Sequence, residues 1–153
     1  MVDYDERLSV PGWWWPVAGG LVAMLGTELN AGLPLAAKVA TYALVLAVAA
    51  GLLLFAGSAR VGVHEATLEA GRARLPLEFA GPIDVLDRSG TRTALGTAAD
   101  PAAYTVTRSW LPGSILVEVR DPDDPTPYWL IGSRHPDRLA AAVVAARASV
   151  GGR

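Results

Sequence analysis

The hydrophobic pattern of this 153-residue chain changes character near residue 60. Between Lys38 and Arg60 lie 21 uncharged residues, VATYALVLAVAAGLLLFAGSA. At helical rise that stretch measures about 31 Å, close to the roughly 30 Å hydrocarbon core of a bilayer. No polar stripe runs along it, whereas a helix packed on a soluble core keeps one wet face. The pattern predicts a membrane-spanning helix over about 35–59. An earlier apolar stretch, VPGWWWPVAGGLVAMLGT over Val10–Thr27, predicts another. Pro16 suits a first helical turn, where its missing N–H costs nothing. Pro16–Thr27 is only twelve residues, about 18 Å of helix, so a full span runs past Glu28 to about residue 32. Asn30, Gly32 and Pro34 then form a turn. Together these segments predict a two-helix hairpin over 10–59 (helices about 12–32 and 35–59), preceded by an N-terminal tail over 1–9.

Beyond Arg60 the period shortens to two, the signature of half-buried strands. Arg60–Glu65, Thr67–Glu69 and Ala73–Phe79 alternate, with hairpin-length connections at Glu65-Ala66-Thr67 and Ala70-Gly71-Arg72. Ile83–Leu86 reads as a further strand, 88–100 as a loop carrying Gly90, Gly96 and Asp100-Pro101, and Tyr104–Arg108 as a strand. Ser114–Arg120 and Tyr128–Ser133 form the clearest hairpin, turning on DPDDPTP. The chain then becomes helical. Ser133 or His135 caps, Pro136 occupies the first turn, Asp137 complements the dipole, and Leu139, Val143, Val144 and Ala146 mark an apolar face. Gly151-Gly152 ends the helix and leaves a tail over 151–153. The predicted class is a membrane α-helical hairpin followed by an α+β soluble domain over 60–150, a small antiparallel β-barrel or split barrel with a C-terminal helix.

Charge follows the same division. Residues 8–59 hold two charges, Glu28 and Lys38, while residues 60–153 hold eleven arginines and eleven acidic residues. A formal net charge of −2 leaves no basic field for nucleic acid. The absence of cysteine excludes disulfides, thiol nucleophiles, zinc ribbons and iron–sulfur sites. No GxSxG, P-loop, HExxH or dinucleotide fingerprint occurs. Asp84 and Asp87 beside Arg88 make no recognisable carboxylate site. Asp121, Asp123 and Asp124 resemble part of a calcium loop, but they lack the later bidentate glutamate, and three prolines fit a hairpin tip better. The expectation is therefore no enzyme, no cofactor and no metal.

A signal peptide would need a basic start, yet Asp3, Asp5 and Glu6 outnumber Arg7. Lysine and arginine near helix ends set orientation. Arg7, Arg60, Arg72 and Arg74 flank the hairpin's outer ends while its turn offers only Lys38, so both termini are expected in the cytoplasm, at the plasma (inner) membrane.

Several residues are candidates for interaction. Trp13, Trp14 and Trp15 read as interfacial anchors. Glu28 is either an outer-interface carboxylate, the favoured reading, or an intramembrane one marking a partner or proton path. Arg60, Arg72 and Arg74 could hold anionic headgroups, though Glu65, Glu69 and Glu78 interleave with them. Trp110, in Trp110-Leu111-Pro112-Gly113, is a contact residue at a turn tip or packs against the hairpin core. Ala43, Ala47 and Gly51 form a small-residue stripe suited to closing the helical hairpin.

WWWP at Trp13–Pro16, RARLPL at Arg72–Leu77 and DPTPYWLIGSRHPDRLA at Asp124–Ala140 resemble the DUF3093 family, actinobacterial membrane proteins of unknown function. The soluble half is also similar to the bacterial pleckstrin-homology (PH)-like domains that follow paired membrane helices. The resemblance implies a membrane protein and supplies no catalytic residues. The resulting expectation is a non-enzymatic scaffold or regulatory partner of a cell-envelope complex, its partners the lipid bilayer and another membrane or envelope protein, with homo-oligomers open. The alternative is a membrane-tethered domain that binds anionic lipid headgroups.

Overall fold

The computed structural model describes residues 4–29 and 32–151. Its elements run β1 (Tyr4–Arg7), α1 (Trp14–Leu29), α2 (Leu35–Ala56), β2 (Arg60–His64), β3 (Thr67–Ala70), β4 (Ala73–Pro76), β5 (Ala80–Asp87), α3 (Arg88–Leu95), β6 (Tyr104–Val106), β7 (Gly113–Val119), β8 (Tyr128–Ser133) and α4 (Pro136–Gly151). They form two compact units. One is helical, over Ser9–Ser58, and the other joins the residues up to Leu8 with those from Ala59 onward.

In the helical unit, α2 has 22 residues and buries none of them. Leu44, Leu52 and Phe55 are each more than 60% exposed, so its apolar surface is uncovered within the unit. This helix is long and apolar enough to cross a membrane. The 16 residues of α1 are fewer than a span requires. The two helices meet at Gly26, where a methyl group would overlap the Tyr42 ring. Ala43, Ala47 and Gly51 are exposed, and the half-buried positions of α2 include Thr41, Tyr42, Val45, Ala49 and Leu53. The helix contact therefore uses a different face from the small-residue stripe. At its end the bonding tightens, Ser58 donating its N–H to the Phe55 carbonyl three residues back at 3.1 Å, and α2 stops at Ala56, short of residue 59. Residues 30–31 of the expected turn lie outside the described residues.

The strand unit contains two four-stranded sheets, ordered β1-β2-β3-β4 and β5-β7-β8-β6. The first is antiparallel throughout. Its β2–β3 turn places Glu65 and Ala66 at φ 44° and 65°, the left-handed pair of a two-residue type I′ turn. Gly71, at φ 64°, opens the β3–β4 turn. In the second sheet β7 pairs antiparallel with β5 and β8, while β6 lies parallel to β8. Apolar residues of both sheets, among them Val61, Val63, Leu68, Ile115, Val117 and Ile131, share one core with Leu139, Val143 and Ala146 of α4. The α+β class is correct, but among the described residues no ladder joins the two sheets, so the barrel is not closed.

Three local features differ from the sequence reading. Residues 4–7, within the expected tail, form β1, which pairs with β2 from Tyr4↔Val63 to Arg7↔Arg60. Leu8 follows it into the core at 0% exposure. The expected loop over 88–100 begins with α3, because Asp87 caps it by accepting the Gly90 N–H at 2.7 Å. The backbone Gly90 N–H, and after it the Ser89 hydroxyl, hold the Asp87 carboxyl below the usual carboxylate range. Finally, β6 is shorter than the expected strand and parallel to its neighbour.

Candidate functional site

The β1–β2 ladder brings Arg7 opposite Arg60, both exposed. Leu8 N–H bonds the Ala59 carbonyl at 2.9 Å, closing the ladder where the chain leaves for the helices and returns from them. Gly71 N–H bonds the Arg60 carbonyl at 2.8 Å, which draws the β3–β4 turn and exposed Arg72 to the same sheet end. Like charges directly opposite on neighbouring strands destabilise a sheet, so this end favours an anion. Of the three arginines singled out from sequence, Arg60 and Arg72 come together. Arg74 instead pairs with its cross-strand neighbour Glu69 at 3.0 Å. That exposed pair neutralises Arg74 and adds at most about 1 kcal/mol.

The aromatic candidates separate as well. Trp13 and Trp15 are 62% and 45% exposed around the start of α1, and the Trp13 and Trp14 rings lie 5.5 Å apart at a tilt. Trp110 is half-buried and packs on the strand-unit core. Its turn is closed by a Leu111 N–H bond to the Arg108 carbonyl at 3.1 Å. Glu28 is exposed in the last turn of α1, and Lys38 is half-buried in the first turn of α2.

Two arrangements lay beyond sequence reasoning. The first is centred on Glu6, whose carboxylate accepts from the Tyr4 hydroxyl at 2.7 Å, the Ser133 hydroxyl and the Arg134 N–H at 2.8 Å. Ser133 is fully buried and also accepts the His135 N–H at 2.9 Å. One cluster therefore ties β1 to the start of α4 across more than 120 residues. Burial first, then bonding to Glu6, pushes the Tyr4 phenol up to about 12, against the Ser133 bond that lowers it. The only signal for this cluster in the sequence was the serine before a proline-led helix. The second arrangement is a cavity of about 320 Å³ between α3 and Thr107–Leu111, concealed by reading 88–100 as a loop.

Among known proteins, a family model described as protein of unknown function (DUF3093) matches residues 3–143. The match includes β1 and both helices and reaches into α4, in keeping with the resemblance of the WWWP and PYWLIGSRHP segments. Comparison with curated proteins and with solved structures gives no match.

Proposed function

The chain belongs to the DUF3093 family, and for this member we propose an integral inner-membrane protein whose α1 and α2 span the bilayer as a hairpin. In this reading the strand unit lies on the cytoplasmic side and acts without catalysis, as a scaffold or regulatory partner of a cell-envelope complex. The observation that carries the reading is the β1–β2 ladder. Two strands paired residue by residue occupy one side of a membrane, so the helical segment between them crosses an even number of times. In this reading α2, uncovered and about 33 Å long, makes one crossing and α1 makes the return. The uncharged residues before Trp14 extend its apolar length. Arg7, Arg60 and Arg72 at the outer ends, against Lys38 alone at the inner end in the first turn of α2, favour the cytoplasmic side for both termini.

Because the chain has no cysteine, single cysteines can report sidedness directly. With a membrane-impermeant maleimide on intact cells, Leu33→Cys is expected to react, and Asp5→Cys and Asp123→Cys only after permeabilisation. Labelling Asp5→Cys and Asp123→Cys from opposite faces would refute the hairpin. In-cell crosslinking of the tagged full chain with mass spectrometry tests the role, and one dominant protein adduct supports the scaffold. If only lipid or self-adducts form, the scaffold reading fails. The Arg7–Arg60 juxtaposition favours a second reading, anionic headgroup binding at that sheet end. It expects phosphatidylglycerol adducts in native mass spectra that disappear in an Arg7→Gln/Arg60→Gln variant.

A further inference from the structure

The cavity beside α3 is built from two firmly held walls. On one side, Arg88 and Arg92 stand one helical turn apart, with Leu95 three residues further on. Asp87 caps this helix, and Thr91 ties it to the sheet through a 2.8 Å hydroxyl contact with buried Ser114. On the other side, Thr107, Arg108 and Ser109 lead into Leu111, which is 5% exposed. That segment presses on Gly132 of β8 so closely that an added methyl group would lie 2.7 Å from Leu111 Cδ1 and 3.1 Å from Thr107 Cα. The Arg108 guanidinium is steadied by donating to the Thr107 carbonyl at 2.9 Å.

Three guanidinium groups thus line one cavity, and none of the described residues lining it is acidic. Arg88 and Arg92 form no ion pair with any described residue. Asp87, the neighbouring acid in sequence, spends its carboxylate on the helix cap. Arg88 and Arg92, one helical turn apart, repel each other until an anion enters, and planar guanidinium groups match phosphate oxygens in bidentate geometry. Hydroxyls from Thr107 and Ser109 add neutral donors. The volume of about 320 Å³ lies at the lower end of small-molecule sites, roughly 300–1,000 Å³. Leu95, 46% exposed, and Leu111 provide apolar surface beside the charges, which suits an organic phosphate better than a bare inorganic ion.

We propose that this cavity binds the phosphate group of a small organic phosphate, presented either by a soluble phosphomonoester or by a phospholipid headgroup. The proposal goes beyond the scaffold reading and does not depend on how the helices cross the membrane.

The test uses the full chain in phosphatidylcholine nanodiscs, titrated calorimetrically at low salt with sn-glycerol 3-phosphate and with inorganic phosphate. Saturable glycerol 3-phosphate binding is expected, weakened about tenfold or more by Arg92→Gln or by Arg108→Gln and unchanged by Arg120→Gln. Arg88→Gln serves as a further variant should Arg108→Gln not fold. In parallel, phenylglyoxal modification of Arg88, Arg92 and Arg108 is compared between phosphatidylglycerol and phosphatidylcholine nanodiscs. Protection confined to phosphatidylglycerol, without binding of the soluble ester, assigns the headgroup as the source. Binding of the soluble ester without that protection assigns the free phosphate. If neither is seen, or if binding is equal in wild type, Arg92→Gln and Arg108→Gln, the proposal is overturned. Its failure would leave the cysteine-labelling pattern and the crosslinked partner untouched.

Discussion

Replacing Glu6 with alanine should loosen β1 from the strand unit, and the structure sets the size of the effect. Of the three donors on the Glu6 carboxylate, the Tyr4 hydroxyl lies on the same strand and has Ser133 Oγ at 3.4 Å as an alternative. The N–H of exposed Arg134 can turn to water. The hydroxyl of Ser133, at 0% exposure, cannot. Its bond to an ionised partner is the one at stake, and such bonds contribute about 1.5–3 kcal/mol. Glu6→Ala should therefore cost about 2 kcal/mol. Ser133→Ala removes the same bond and also the acceptor for the His135 N–H, for a loss of about 2–3 kcal/mol. Because the bond is shared, the double variant should lose only about 3 kcal/mol. Asp5→Ala, exposed on the same strand, should stay within about 0.5 kcal/mol of wild type.

Trypsin pulse proteolysis of the full chain in detergent over a urea series would measure these values. The arginines between Arg60 and Arg147 supply cleavage sites in the strand unit once it opens. The reasoning is refuted if Glu6→Ala leaves the urea midpoint unchanged. It is equally refuted if the Glu6→Ala and Ser133→Ala losses add in full, because the two residues would then not act through one bond.

Other predictions use the same assay. Ala66 sits in the left-handed region at φ 65°, where a Cβ is strained, so Ala66→Gly should stabilise by about 0.5–1 kcal/mol; a lower urea midpoint would contradict the type I′ assignment. At Gly113 a methyl group would run into the Leu86 carbonyl oxygen, and because that atom is backbone, Gly113→Ala should cost about 1–3 kcal/mol. Tyr4, pushed up to about 12 when folded, ionises nearer 10 in the unfolded chain. The folded state thus holds its proton more tightly, so this contribution is complete below pH 10 and is lost between pH 10 and 12. Tyr4→Phe should flatten the fall in urea midpoint over that window, and an unaltered slope would remove Tyr4 as its source.

Whatever depends on near neighbours was legible in the amino-acid order. The apolar run 39–59 encodes α2, the apolar runs within Ser114–Arg120 and Tyr128–Ser133 about the DPDDPTP turn encode the β7–β8 hairpin, and the spacing of Leu139, Val143 and Ala146 encodes α4, although Val144, read onto the same face, is exposed. Short connections at Glu65-Ala66-Thr67 and Ala70-Gly71-Arg72 were also readable from strand periodicity, and the ladders narrow them to the two-residue turns Glu65-Ala66 and Gly71-Arg72. Among the candidate residues, Arg60 and Arg72 fell together by local ladder geometry, while the Arg74–Glu69 pair required the β3–β4 register.

The remainder was decided by contacts between distant segments. Tyr4–Arg7 is a polar tetrapeptide with no strand signature of its own, and it becomes a strand because Arg60–His64, more than fifty residues later, offers it an edge. The Glu6–Ser133 tie, the parallel β6–β8 pairing and the cavity joining Arg88 and Arg92 to Arg108 arise in the same way. For α3, Gly90 and two threonines weaken helix propensity, so the Asp87 cap and the bond to Ser114 hold it in place. Propensity and periodicity act over a few residues, whereas sheet order and charge convergence depend on which segments meet in space. The chain alone therefore specified the helices, hairpins and charge division of this protein. Tertiary pairing decided that the helical segment is inserted within the strand unit, and which arginines share a site.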